Sequence, residues 1–497
     1  MSQVAGQSDA VVRTAPPAGR PGSLRDWLRV GGALTLMGLA VLSAQACCRK
    51  GPEPAGPELP ALAPVTAADR ILIIAPHEDD EALGAGGLIQ QALAAGAAVR
   101  VVYLTYGDHN ELAFMAYRKK PWVSPTINRN MGELRRNEAL AASARLGLPR
   151  EASAFLGYPD HGTLEIWKEH WGQSPPKHSR LTNARSVPYP DALSFGKAHK
   201  GENLAADLVA QLLDFRPTRV LVGHPADGNP DHRACWLFVQ EALLETAGRL
   251  GAPEVLAYPI HAGKWPLPGG EHTDQWLVVP KRLADGPGCW AMLTLTPEQA
   301  RLKAQAIRLY RSQTSISAGY LLSFARRNEL FARIPPVKLR PAPGADGVGQ
   351  ARAHVWMLRP EEFDPEAEPP GEGEGEPLGS VVWRDSGDAL VIEVRLHHGL
   401  ALGGGIAASA FGFRPDRPFA QMPKLRVSWA PGWLRVYDQG ARVVRDKVKA
   451  VEAPGLLTLT IPWEELAGPE AVFVQVEGSA GEMPAGHTGW RLLLRAK

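Results

Sequence analysis

One histidine and four acidic residues crowd the run Pro76-His77-Glu78-Asp79-Asp80-Glu81. His77 and Asp80 offer an imidazole nitrogen and a carboxylate oxygen within one helical turn, a pair that suits a catalytic zinc with an open coordination position. Asp79, between them, can face a water on that metal. A second run, Gly223-His224-Pro225-Ala226-Asp227-Gly228-Asn229-Pro230-Asp231-His232, supplies His232 as the third ligand. Asp231 beside it is the kind of carboxylate that orients a metal-bound imidazole. Acidic residues also collect at helix starts through capping and the macrodipole, so Asp79, Asp80 and Glu81 taken alone fit a structural role as well. The pairing of two such runs is what favours a metal. Gly84-Ala85-Gly86-Gly87 lacks the spacing of a dinucleotide-binding turn.

Both runs follow apolar strands. Ile71 to Ile74 is one, Val220 to Val222 ends the other (Arg219 to Val222), and Val99 to Leu104 and Glu254 to Tyr258 are further strands. Helical periodicity covers Glu81 to Ala95, Gly132 to Leu146, Asn203 to Asp214, Asp231 to Ala247 and Pro297 to Arg311. Alternation of this kind predicts an α/β, Rossmann-like, mostly parallel sheet flanked by helices, with ligands at the carboxyl ends of its strands. The irregular stretches 109–130 and 165–201 are long for passive connections and are expected to wall a substrate site. From about 351 the pattern becomes period two, at Leu390 to Leu396, Leu425 and Val427, Leu457 to Ile461 and Val472 to Val476, which predicts a C-terminal all-β sandwich. The Glu-, Gly- and Pro-rich segment 364–377 reads as a solvated loop. Domain bounds are 69–334 for the α/β part, 335–350 for a linker and 351–497 for the sandwich.

Together these segments resemble the PIG-L/LmbE family of zinc-dependent N-acetylglucosaminyl deacetylases over about residues 69–334. The family's Pro/Ala-His-Pro-Asp-Asp-Glu signature matches Pro76 to Glu81, with Glu78 in place of proline. Arg135-Arg136-Asn137-Glu138 looks like its Arg-x-x-Glu helix, and Leu156 to Asp160 and Lys303 through Ser312-Gln313 extend the likeness. The resemblance implies Zn2+ on His77, Asp80 and His232, Asp79 as general base, and Arg135 and Asp160 facing an N-acetylated sugar or polysaccharide. It implies acetate and a free amino sugar as products. Asn229 stands where the family's His-Pro-Asp-His motif has its first histidine, a group thought to stabilise the developing oxyanion. Either the amide suffices, or His224 or His161 substitutes beside the substrate, or turnover is weak. The run Leu457 to Glu465, with Trp383, Trp429, Trp433, Trp463 and Trp490 elsewhere in the sandwich, is similar to carbohydrate-binding modules, although tryptophan packs into cores as readily.

The remainder bounds the function. With 497 residues, 45% hydrophobic and 21% charged, the chain is that of a globular protein of about two domains. A net charge of +2 provides no basic field for nucleic acid. Four cysteines, two of them at Cys47-Cys48, exclude a disulfide framework, and Cys235 reads as a small buried hydrophobe. Arg20, Arg25 and Arg29 precede an uncharged apolar run from Val30 to Ala46 that ends Ala44-Gln45-Ala46. Residues 1–50 are therefore expected to export the chain to the periplasm or cell envelope, as a cleaved signal, an uncleaved anchor or a lipidation site at Cys47, which is the only membrane contact expected. Residues 51–68 read as a Pro-rich tether. Two other readings fit the same residues: a zinc amidase acting on a non-sugar N-acyl substrate, and a weakly active glycan-binding surface protein.

Overall fold

β1 (Arg70–Ala75) buries every residue after its first, as a strand covered on both faces does. The computed structural model describes residues 57–109, 124–284, 286–339, 357–358, 378–396, 404–480 and 483–495. The export run with Cys47 and the segment 364–377 lie outside them, and among the described residues no helix is long and apolar enough to cross a membrane. β1 pairs in parallel with β2 (Ala98–Thr105) and β4 (Arg219–Gly223). β3 (Ser153–Tyr158) extends the sheet beyond β2, and β5 (Glu254–Tyr258) beyond β4, again in parallel. β6 (Cys289–Thr294) and β7 (Asn328–Arg333) close that edge antiparallel, giving the order β3-β2-β1-β4-β5-β7-β6. The expected mostly parallel sheet is present. Its strand order reverses between β1 and β4, which opens a crevice at their carboxyl ends.

Seven helices matter to the site and its support: α1 (Asp80–Ala94), α2 (Pro125–Arg145), α3 (Thr163–Glu169), α4 (Gly201–Phe215), α5 (Pro230–Glu245), α6 (Pro297–Ile307) and α7 (Arg311–Leu321). α2 begins before the expected Gly132 because Ser124 accepts the Ile127 N–H and Pro125 takes the first helical position. The helix expected over 297–311 is two, α6 and α7, separated at Arg308–Tyr310. α1 lies flush on its neighbours: a Cβ at Gly84 would meet the Tyr258 ring at 2.5 Å, and one at Gly87 would meet Leu295 at 2.3 Å. The glycine cluster serves close packing. Glu329 then accepts the Gly87 and Leu88 N–H groups at 2.6 and 2.9 Å and pairs with Lys303 at 2.6 Å.

Three sequence expectations change. The end of the supposed tether docks: Leu62 N–H donates to the Met292 carbonyl at 2.7 Å and Met292 N–H to Pro60 at 2.9 Å, which covers the β6 edge. Within the supposed linker, β8 (Val337–Leu339) pairs in parallel with β20 (Arg491–Arg495). The stretch 165–201, expected to wall the substrate site, instead carries α3 and the buried Trp167 and Trp171 toward the C-terminal sheet.

The C-terminal part is the expected antiparallel layer pair. One sheet has the order β10 (Leu378–Asp385), β11 (Ala389–Leu396), β17 (Leu456–Pro462), β16 (Lys449–Ala453). The other has the order β15 (Ala441–Val443), β14 (Trp433–Asp438), β13 (Lys424–Ala430), β12 (Gly405–Phe413), β18 (Ala471–Ala480), β19 (Met483–Thr488), β9 (Met357–Leu358), with β20 paired to β18. Ile406, Ala408, Ala410, Val472, Val474 and Val476 point into the core between the sheets. Phe411, Phe413 and Phe473 alternate with them and join the core of the α/β part. Both faces of β12, and of most of β18, are therefore buried. Trp383, Trp429, Trp463 and Trp490 are buried too, and of the five tryptophans considered for sugar stacking only Trp433 is exposed.

Candidate metal centre and active site

His77 leaves the carboxyl end of β1 just before α1, and its backbone N–H donates to Asp80 Oδ2 at 2.9 Å, which folds the turn onto itself. His232 lies in the first turn of α5, after β4. The two rings sit 5.3 Å apart, centroid to centroid, on the same side of the sheet. Asp80 Oδ2 lies between them, 3.4 Å from His77 Nδ1 and 3.3 Å from His232 Nε2. Two imidazoles and one carboxylate thus offer ligand atoms within 4.8 Å of one another.

Each imidazole is held on its other nitrogen by buried acid. His77 Nε2 lies 3.2 Å from Asp160 Oδ1 and 3.3 Å from Asp231 Oδ2. His232 Nδ1 lies 3.5 Å from Asp227 Oδ2. His77 is oriented as metal-bound histidines are, with its outer ring nitrogen on a carboxylate and its inner one left for an ion, while Asp227 stands at ion-pair distance behind His232. Asp231 and Asp227 also belong to further His/Asp clusters, but their remaining capacity is committed. Asp231 accepts the His161 N–H at 2.5 Å, the Thr163 N–H at 3.0 Å and the Thr163 hydroxyl at 2.5 Å. Asp227 accepts the N–H groups of Asn229, Ile260 and His261 at 2.9, 3.0 and 2.9 Å, and the His261 ring at 3.1 Å. These two are anchors behind the ligands.

The electrostatics follow. Burial works against a charged His77, yet Asp160, Asp231 and Asp80 outweigh it and raise its pKa well above the ordinary value. Burial likewise opposes ionisation of Asp80, but His232 and His77 hold its carboxyl far below the usual range. Asp79 goes the other way, raised by burial and by the charge of Asp80. A surplus of buried carboxylate around two imidazoles demands positive charge at this point.

Asp79, Asp80 and His77 open onto a cavity of about 340 Å³. Arg135, Asp160, His161, Asn229 and His261 line it on the polar side, and Leu83, Ile260, Tyr320 and Leu321 on the apolar side. Asn229 caps α5 with its side-chain oxygen on the Asp231 N–H at 2.8 Å, leaving its amide NH2 as the end able to donate into the cavity. Arg135 reaches the lining but its guanidinium is engaged by Glu78 and the Gly107 carbonyl. Glu78 also accepts the Gln313 amide at 2.8 Å, and burial, outweighing Arg135, pushes its pKa up to about 8. Gly107 (φ +65) makes room for that carboxylate, since a Cβ there would fall 1.9 Å from Glu78 Oε2. The replacement of proline at 78 thus has a built receptor. Asp160 stands mainly behind His77.

His224 is corrected. It does not reach the cavity; it stacks on Trp290 at 5.6 Å and its Nδ1 accepts the Ala226 N–H at 3.1 Å. Burial pushes its pKa down to about 3, the mark of an imidazole placed in the core. Sequence reasoning missed Asp227 and His261. Asp227 lay inside the second run, and His261 follows β5 at the same edge of the sheet, so position past a parallel strand was the available signal. It also gave no role to Glu138, which accepts the Ser312 N–H and hydroxyl at 2.9 and 2.6 Å and ties α2 to α7.

Residues 72–243 match the family model described as PIG-L, GlcNAc-PI de-N-acetylase. Among curated proteins, the chain is 33% identical over 193 residues to a 1D-myo-inositol 2-acetamido-2-deoxy-alpha-D-glucopyranoside deacetylase of Mycobacterium sp. (strain KMS), covering 38% of this chain and 54% of that one. A protein of the same description from Actinosynnema mirum is 26% identical over 275 residues, covering 52% and 88%. The chain thus spans about half the length of the first of these relatives. Among solved structures it is similar to the N,N'-diacetylchitobiose deacetylase from Pyrococcus horikoshii, with 18% identity, coverage of 49% and 70%, and a TM-score of 0.31.

Proposed function

We propose that the PIG-L family domain of this chain, matched over residues 72–243, removes the acetyl group from an N-acetylglucosamine-type sugar, using zinc held by His77, Asp80 and His232. The observation that carries this reading is the convergence of His77 Nδ1, Asp80 Oδ2 and His232 Nε2 beside an unligated Asp79. The residues fit the ion. Asp80 Oδ1 and both ring nitrogens of His232 are buried without hydrogen-bond geometry to any described group, and the nitrogen and oxygen donor set suits zinc. The sugar is supported by the two curated relatives, both described as deacetylases of a 2-acetamido sugar. A cavity of about 340 Å³ is in the range for a sugar-sized ligand.

Bound zinc supplies polarisation of the amide carbonyl and a water that ionises near neutral pH. Asp79, its carboxyl raised by burial, accepts the proton of the attacking water and returns it to the leaving amine. The Asn229 amide donates to the developing oxyanion, the task that the family motif gives to a histidine. Asp160 and Asp231 keep the His77 ring turned, and Asp227 does the same for His232. Leu83, Ile260 and Leu321 shield one wall from bulk water. We place the enzyme at the periplasm or cell envelope on the strength of residues 20–47, whose basic start, apolar run and small-residue end read as an export signal.

The test joins zinc analysis of the purified chain with acetate release from N-acetylated sugars and from non-sugar N-acyl amines. Stoichiometric zinc with release from sugars is the expected result. Release from the non-sugar amides alone would move the chain to the amidases. Glycan binding with neither zinc nor release would refute the proposal.

A further inference from the structure

α3 is seven residues long, and isolated helices shorter than about 12–15 residues are marginal in water. Its position is therefore set by what packs on it. The Trp167 ring, fully buried, has six aromatic neighbours with centroids within 6.2 Å: Trp171, Phe238, Phe411, Phe419, Phe473 and Trp490. The last four belong to the sandwich. Beside it, Lys168 pairs with Glu477 of β18 at 2.6 Å.

The other end of the same short element touches the candidate centre. His161, at φ +54, holds a left-handed conformation that a non-glycine residue keeps only under constraint. The constraint is Asp231, which takes the His161 N–H, the Thr163 N–H and the Thr163 hydroxyl. Asp160 and Asp231 together face His77 Nε2. A continuous set of contacts thus runs from the sandwich through Trp167 and the turn 160–163 to the ring of His77.

We infer that the sandwich is a working part of the reaction centre: by gripping Trp167 it fixes the turn 160–163, and through Asp160 and Asp231 it fixes the orientation of His77, so that Trp167 is a positioning residue. The inference rests on the metal reading proposed above. It also gives the buried tryptophan Trp490 a purpose other than sugar stacking.

The test uses the full chain. Trp490→Ala opens the seam against Trp167, whereas Trp383→Ala opens an equally buried site in the separate core between the two sandwich sheets. In metal-free protein, amide exchange at His161 and Thr163 should quicken by about 10-fold or more in Trp490→Ala relative to Trp383→Ala. Zinc Kd should rise about 10-fold or more in the first variant and stay near wild type in the second. Equal changes in both variants, or none in Trp490→Ala, would overturn the inference. Should Trp490→Ala not fold, Trp490→Phe is read against the same control. A wild-type chain that binds no zinc sinks the metal reading, and the exchange measurement then still decides whether the sandwich sets the turn.

Discussion

Each imidazole of the centre is gripped from behind, and at the residue scale this separates groups that do chemistry from groups that aim them. Asp79 opens onto the cavity with no ligand task, so Asp79→Asn should keep zinc while lowering kcat by about 100-fold or more, with KM little changed. Wild-type turnover in that variant, measured by acetate release, would remove Asp79 from the mechanism. Asp227 touches His232 and three backbone N–H groups, and its replacement acts through the ligand. Asp227→Asn should weaken zinc binding by about 10–100-fold, read by chelator competition, and should recover turnover as zinc is added. Recovery is the outcome that distinguishes an aiming residue from a proton carrier.

At the scale of elements, the site depends on how closely α1 approaches the sheet. Gly84 sits against the Tyr258 ring at the end of β5, and that ring is rigid, with its hydroxyl on the Ile74 carbonyl at 3.1 Å. Gly84→Ala should therefore cost about 1–3 kcal/mol, seen as a lower urea midpoint with an unchanged slope. A neutral result would mean that α1 shifts freely. α7 shows the opposite arrangement. It begins only after the break at Arg308–Tyr310, and that break lets Ser312 reach Glu138 while Gln313 reaches Glu78.

At the scale of the molecule, the sheet built on β12 and β18 is shared by two cores, which joins the sandwich to the α/β part. Its polar margin has a pH signature. Burial tends to raise the Glu477 pKa, but Lys168 and Arg426 outweigh it and hold the folded-state value at about 2, below the ordinary 4.5. A depressed carboxyl contributes stability that is fully present above its unfolded pKa and is lost as pH falls through the folded one. Tm should therefore fall between about pH 4.5 and 2, and Lys168→Met should flatten that part of the curve. An identical profile in the variant would show that the pair contributes nothing at the seam.

Local pattern determined much of this protein. Apolar strands leading to His77 and to His232 were legible because strand termini in a parallel sheet are local events, and the period-two runs of the sandwich were legible because one face is uniformly apolar. Tertiary structure decided which carboxylate stands behind which imidazole, that Arg135 is occupied by Glu78, and that His224 turns into the core. These outcomes depend on loops from separate strands meeting at one sheet edge, where spacing along the chain carries no direction. It also decided the seam: Phe411 and Phe473 alternate with valine and alanine on strands buried on both faces, so nothing in their sequence distinguished an inner core from a surface waiting for Trp167.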